Sequence, residues 1–191
     1  MSASEGERRA ALAASAGDAT VFTALVEEYQ HRVFGLSLMI LRNRPAAEEV
    51  TQDAFVRAFL NLHRYDAARP FYPWIAAIAV RLAQTWLRRR MRHAGREDGP
   101  LEAASDDHAD GPLRELISDE RSRRLWSLVT SLPRAQSAAV FLYYKQDMKV
   151  DEVAQTLGVT SGTIKTLLSR ARHALRERLE LSDLEAIDHE L

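Results

Sequence analysis

The stretch DEVAQTLGVTSGTIKTLLSRARHAL, residues 151–175, constrains the fold more than any other part of the chain. Val150, Val153, Ala154 and Leu157 recur at i, i+3, i+4 and i+7, which is one face of a short helix. Gly158 follows at once, and glycine adopts the positive φ that ends a helix sharply. Val159 is expected to plug the corner, and Thr160 or Ser161 to cap a second helix. That helix turns Ile164, Leu168, Ala171 and Leu175 inward and leaves Ser161, Thr163, Lys165, Thr166, Ser169, Arg170 and Arg172 toward solvent. Two helices joined so tightly have helix-turn-helix spacing. Small polar and basic residues on the first turns of the second helix suit a reader of the DNA major groove. Arg170, Arg172, Arg176 and Arg178 are placed to hold backbone phosphates. An ordinary helix pair with a charged outer face fits the same pattern, so the rest of the chain has to decide.

The periodicity is helical almost throughout, and no stretch alternates as a strand would. Over residues 18–42 the apolar positions Phe22, Leu25, Val26, Tyr29, Val33, Phe34, Leu36, Leu38 and Leu41 predict a long helix with a buried face. Asn43-Arg44-Pro45 breaks it, and Pro45 fits the first turn of the next helix, 46–62. This second helix is expected to bury Val50, Ala54, either Phe55 or Val56, and Phe59. A polar and aromatic loop, HRYDAARPFYP, leads to a third long helix, 73–92. Beyond it, helices are expected over 113–130 and from Pro133, before the helix-turn-helix.

A formal net charge of −1 conceals an alternation of basic and acidic blocks. From Glu97 to Glu120 nine acidic residues face Arg114 alone; from Arg121 to Arg178 eleven basic residues face four acidic ones. Residues 180–191 carry five acids and no Lys or Arg. Such asymmetry points to nucleic acid as a partner. Residues 93–112, rich in Gly, Pro, Ala and acid, read as a flexible acidic linker. The chain is thus expected to be all-α: a disordered N-terminus (1–17), a helical domain (18–92), the linker, a second helical domain (113–179) and an acidic tail (180–191). With no cysteine there are no disulfides or thiolate metal sites. The most apolar stretch, 33–41, is too short to span a bilayer, and no signal-peptide core precedes it. A soluble cytoplasmic protein is expected. The six histidines are scattered, and no nucleophile–base pair or phosphate-binding glycine loop occurs. A metal, a cofactor, a small-molecule substrate and an enzymatic reaction are therefore not expected.

A second basic site lies in the first domain. The third helix buries Ile75, Ile78, Ala79, Leu82 and Trp86, with Met91 at the end of the stripe, and carries Arg81, Arg88, Arg89, Arg90 and Arg92. Tyr65, Phe71, Tyr72 and Trp74 precede or open it. Aromatic rings beside a basic track stack unpaired bases and neutralise their backbone. The alternative makes Phe71 and Trp74 core plugs and the arginines partners of the helix C-terminus. Two DNA-suited sites on one chain favour the first reading.

Four segments together, AAEEVTQDAFVRAF, YDAARPFYPWIAAIA, the short linker, and LPRAQSAAVFLYYKQDMKVDEVAQTLGVTSGTIKTLLSRARHAL, resemble a bacterial RNA polymerase sigma factor of the extracytoplasmic-function (ECF) group. The resemblance covers about residues 20–92 and 120–179. A helix-turn-helix is common to many families; this order of segments is specific. The resemblance implies two domains that recognise the −10 and −35 promoter elements. It assigns Glu48, Glu49, Gln52, Asp53 and Phe55 to the grip on the clamp helices of the largest subunit of core RNA polymerase. A solvated helix face accounts for the polar members equally well. The resemblance assigns Tyr65, Phe71, Tyr72, Trp74, Arg81, Arg88 and Arg89 to the opened −10 strand and the duplex junction. Ser161, Thr163, Lys165, Thr166, Ser169, Arg170, Arg172 and Arg176 would read the −35 duplex.

Some features depart from the family pattern. Many relatives carry Arg-Asn at Val80-Arg81, an acid at Thr85 and an Arg at Leu167; the acidic tail is also outside it. The resemblance further implies an anti-sigma factor as inhibitory partner, with the helix edges at 33–41 and 125–129 as candidate contacts. A self-sufficient DNA-binding regulator, a helical enzyme and a sigma-like decoy are the competing readings.

Overall fold

The computed structural model describes residues 19–94 and 120–188, and among these every regular element is helical. The expected N-terminus (1–17) and most of the expected linker lie outside the described residues; His93 and Ala94 belong to a helix instead.

The N-terminal half is a three-helix unit: α1 (Ala19–Leu41), α2 (Arg44–Leu60) and α3 (Phe71–Ala94). Arg42, in the left-handed region at φ 52°, ends α1. Asn43 then caps α2, its Oδ1 accepting from the Ala46 N–H at 2.9 Å, with Pro45 in the first turn as its fixed φ favours. A short 3-10 turn (Leu62–Arg64) and a loop lead to α3. Phe22, Leu25, Tyr29, Val33 and Leu36 from α1 meet Val50, Ala54 and Phe55 from α2 and Phe71, Ile75, Ala79 and Val80 from α3. Phe55, not Val56, faces the core; Val56 is 51% and Phe59 42% exposed, and Met91 is also exposed.

The C-terminal half comprises α4 (Glu120–Thr130), α5 (Arg134–Val140), α6 (Val150–Leu157) and α7 (Ser161–Asp188). The expected first helix begins at Glu120, and residues 113–119 lie outside the described residues. α5 widens into a π-helical turn, Phe141–Lys145, closed by the Gln146 N–H on the Phe141 carbonyl at 3.1 Å. Asp147 follows at φ 51°, a conformation that a short polar side chain tolerates. Gly158 ends α6 at φ 70°, and Thr160 caps α7 by accepting the Thr163 N–H at 3.2 Å. Val159 does not plug the corner: it is 40% exposed. Ile164, Leu168 and Ala171 seat α7 on the core. The backbone of α7 continues to Asp188, so the acidic tail begins as helix.

The two halves share one hydrophobic core rather than standing apart. α1 packs on α5, and α3 packs on α6. Residues 33 and 35–41 are buried, by the three-helix unit and this seam together, which removes the edge expected to be open to a partner helix; of the 125–129 edge, Leu125 is exposed and Val129 is buried. No helix of the described residues is long and apolar enough to cross a membrane.

Candidate nucleic-acid and polymerase interfaces

α2 buries Ala46, Ala47, Val50, Ala54, Phe55 and Ala58, and its helical period turns Glu48, Glu49, Gln52 and Asp53 to solvent. Glu48 pairs with Arg44 at 2.9 Å, while Glu49, Gln52 and Asp53 form an exposed polar face at i, i+3 and i+4. Phe55 stands apart from these four. It is 6% exposed and meets Phe22 edge-on at 6.4 Å, so it supports the face from inside. Beside this face an open, mainly apolar groove of about 830 Å³ runs between α1 and α2. Phe22, Val26, Phe34 and Phe55 line it together with Val56 and Phe59, and Glu48 and Gln52 stand on the same wall.

A second concavity, about 330 Å³, opens where the end of α2, the 3-10 turn and α3 meet. Arg57 and Asn61 approach from α2 and its C-cap, Arg64 from the turn, and Trp74, Arg81 and Thr85 from α3. Three cations around an aromatic wall and an amide suit a nucleotide, because they offer phosphate neutralisation and a stacking surface together. Arg88 Nη2 donates to Thr85 Oγ1 at 3.0 Å, which itself donates to the Arg81 carbonyl at 2.8 Å, so the rim is tied to the helix. The loop before α3 is braced locally. Asp66 Oδ1 accepts the Ala68 N–H at 3.0 Å, its other oxygen lies 3.4 Å from Arg69 Nε, and the Tyr65 hydroxyl donates to the Arg69 carbonyl.

The aromatic residues expected at the −10 strand divide. Trp74 lines the concavity and Tyr65 is half-buried, packed on Trp74 at 5.1 Å. Phe71 is wholly buried, as the core-plug alternative holds. Tyr72 is buried too, beneath the Arg32 guanidinium at 4.0 Å from its ring centre, and burial pushes its phenol far above the ordinary tyrosine range despite that cation. Neither ring has a face free for a base in this conformation. Arg81, Arg88 and Arg89 are exposed. Arg57 is not among the residues expected here; Asn61 and Arg64 fall in the loop 61–72 that the resemblance assigns to the −10 strand, and Thr85 is one of the departures from the family pattern, but none of the three is singled out as a contact. Two polar pairs at i, i+4, Arg57/Asn61 and Arg81/Thr85, were the available signal.

On α7 the expected reading face is assembled. Thr163, Lys165, Thr166, Ser169, Arg170, Arg172 and Arg176 are exposed, and Ser161, half-buried, donates to Asp151 Oδ1 across the turn. That last bond uses the Ser161 hydroxyl to fix the angle between α6 and α7. Thr166 donates to the Gly162 carbonyl at 3.1 Å, which leaves the oxygen lone pairs outward. Arg178 donates to Ser131 Oγ and so braces α7 against the end of α4. Leu167 is half-buried and packs on the core, so an arginine there would have to leave it.

Two family models match the chain: sigma-70 region 2 over residues 25–93 and sigma-70 region 4 over residues 122–175. The ECF RNA polymerase sigma factor SigW of Bacillus subtilis is 31% identical over 172 residues, 85% of this chain and 91% of that protein. The probable RNA polymerase sigma factor RfaY of Xanthomonas campestris is 30% identical over 168 residues, 87% of this chain; the chain spans only 42% of its length. In fold the chain is similar to the sigma factor RpoE of Bartonella quintana, solved in complex with the anti-sigma factor NepR. The TM-score is 0.64 at 19% identity, over 83% of this chain and 96% of that one.

Proposed function

The chain belongs to the ECF group of RNA polymerase sigma factors, and on that premise we propose that it binds core polymerase, carries it to specific promoters and promotes strand opening. The observation that carries this reading is the pairing of a three-arginine, tryptophan-walled concavity in region 2 with an exposed basic reading face on α7 in region 4. Glu49, Gln52 and Asp53 dock on the clamp helices of the largest polymerase subunit, with the neighbouring apolar groove extending the contact. An unpaired −10 base enters the concavity between Trp74 and the arginines. Extruding a base costs a few kcal/mol, and stacking on an aromatic ring returns about 1–3 kcal/mol. Phosphate contacts from Arg57, Arg64 and Arg81 offset the remainder, so melting needs no hydrolysis and the protein catalyses no reaction of its own. Lys165, Thr166, Ser169 and Arg170 read the −35 duplex, while Arg172 and Arg176 hold its backbone. The protein works in the cytoplasm, where the polymerase and the promoter are, as two separately engaging domains. An anti-sigma factor is its natural inhibitor, and the RpoE–NepR complex supports that assignment through the shared fold.

Run-off transcription with core polymerase on genomic fragments tests the reading. Discrete start sites that require the protein are expected; none on any fragment would refute it. Protection of promoter duplex by the protein without polymerase would favour a self-sufficient regulator instead.

A further inference from the structure

We propose that the concavity between α2 and α3 selects guanine as the base it takes from the opened strand, with Arg81 reading the O6–N7 edge and Asn61 accepting from N1 and N2. The source of the strand rests on the sigma-factor reading; the preference itself rests on the donors and acceptors of the wall.

Trp74, Ile78, Arg81 and Thr85 recur at i, i+4, i+7 and i+11, so α3 presents them along one face of the cavity. Tyr65 at 5.1 Å and Phe71 at 5.6 Å hold the Trp74 ring, which fixes it as a stacking surface. Ile78 and Leu82 add apolar wall. At about 330 Å³ the cavity lies at the small end of ligand pockets, a size for one base rather than a stacked pair. Arg57 and Asn61 come from α2 and its C-cap, and Arg64 from the turn.

The polar groups of the wall are unevenly matched. Among the described residues the guanidinium groups of Arg57, Arg64 and Arg81 have no hydrogen-bond or ion-pair partner, and no carboxylate lines the cavity. Thr85 is already engaged: its hydroxyl donates to the Arg81 carbonyl at 2.8 Å and accepts from Arg88 Nη2 at 3.0 Å. Asn61 is engaged on one side. Its Nδ2 donates to the Arg57 carbonyl at 2.9 Å, which leaves Oδ1 as the amide acceptor open to a ligand. A ligand that satisfies this wall brings paired acceptors for a guanidinium fork and a donor for one amide oxygen. Guanine carries O6 beside N7 on one edge, and N1–H beside the N2 amine on another. Arg81 from α3 and Asn61 from the end of α2 meet these two edges from two walls. Adenine sets its N6 amine beside N7, which puts donor against donor at the fork, and thymine shows O4 beside a methyl group. Cytosine is the nearest rival. It offers N3 and O2 together, but its N4 amine adjoins them on the same edge, and its single ring covers less of Trp74. A guanidinium has five N–H donors, so one edge of Arg81 takes the base while another still faces a phosphate; Arg57 and Arg64 remain for the phosphates.

The test titrates the full chain with short DNA strands that carry a single base, guanine, adenine, cytosine or thymine, among abasic sugars, so that the phosphates stay constant. The indole N–H resonance of Trp74 reports entry into the cavity. Guanine is expected to bind about tenfold tighter than each of the others. 7-Deazaguanine, which lacks N7, and hypoxanthine, which lacks the N2 amine, should each lose part of that advantage. Arg81→Gln should turn the preference toward adenine, since a glutamine amide pairs with N6 and N7 together. Arg81 is exposed, so the exchange should leave the fold intact, which circular dichroism checks. Equal binding of the four bases, a preference for cytosine, or a guanine preference unchanged by Arg81→Gln overturns the proposal. A guanine preference that leaves the Trp74 resonance unmoved overturns it as well. The expected preference, with no promoter opened by core polymerase and this chain, would instead refute the sigma-factor reading and leave the base assignment standing.

Discussion

Alanine at Gly158 and alanine at Gly162 should move stability in opposite directions, although the two glycines flank the same turn. At Gly158 the backbone φ is 70°, and a Cβ would meet nothing within 4 Å. The cost of Gly158→Ala is then purely conformational, about 1–2 kcal/mol for an L-residue in the left-handed region. Gly162 lies in the first turn of α7, and its Cβ would find only Thr160 Oγ1 at 3.8 Å, an ordinary contact. There alanine removes glycine's excess unfolded-state freedom and should stabilise by about 0.4–1 kcal/mol. The two variants should differ by roughly 2 kcal/mol, or about 4–8 °C in Tm for a chain of this length. Thermal and urea unfolding of the full chain, with m-values compared, measure this. Gly158→Asn serves as control, since asparagine tolerates the left-handed region better and should recover part of the loss. If Gly158→Ala proves neutral or stabilising, the turn is not left-handed and the α6–α7 geometry is wrong.

Other expectations concern the interfaces. Replacing Gln52 and Asp53 together by alanine should weaken core-polymerase binding while shifting stability by no more than about 0.5 kcal/mol, whereas Phe55→Ala should cost about 3–5 kcal/mol of stability; pull-down and unfolding measurements separate the two. Arg57→Ala and Arg64→Ala should each weaken binding of a single-stranded −10 oligonucleotide and lower the salt slope by about 0.7, with duplex −35 binding unchanged; equal loss on both DNAs would count against the concavity. Lys165→Ala and Arg170→Ala should each relax base preference at one −35 position by about 1–3 kcal/mol, while Arg176→Ala should weaken all promoters alike, as competition binding across single-base variants will show.

Much of this protein was legible from residue order alone, and the parts that were legible are local. Asn43 and Pro45 start α2, Gly158 stops α6 and Thr160 starts α7, because caps and turns depend on φ preferences and hydrogen bonds within three or four residues. The solvent-facing set on α7 follows from the period of one helix whose apolar stripe is unbroken. Wherever two helix faces were apolar, local order did not decide. Phe55 and Val56 are neighbours of similar character, and only the position of Phe22 on α1 makes Phe55 the buried one. Phe71 and Tyr72 carried the composition of a stacking platform, yet Tyr29 and Arg32 on another helix cover them. Arg57, Arg64 and Arg81 converge from α2, a turn and α3, a grouping with no sequence period. Gly35, within the apolar run at 33–41, is met by the ring of Phe141, about a hundred residues away. Periodicity records which side of a helix avoids water. What that side is buried against is set by the packing of distant segments, and only the assembled tertiary structure supplies it.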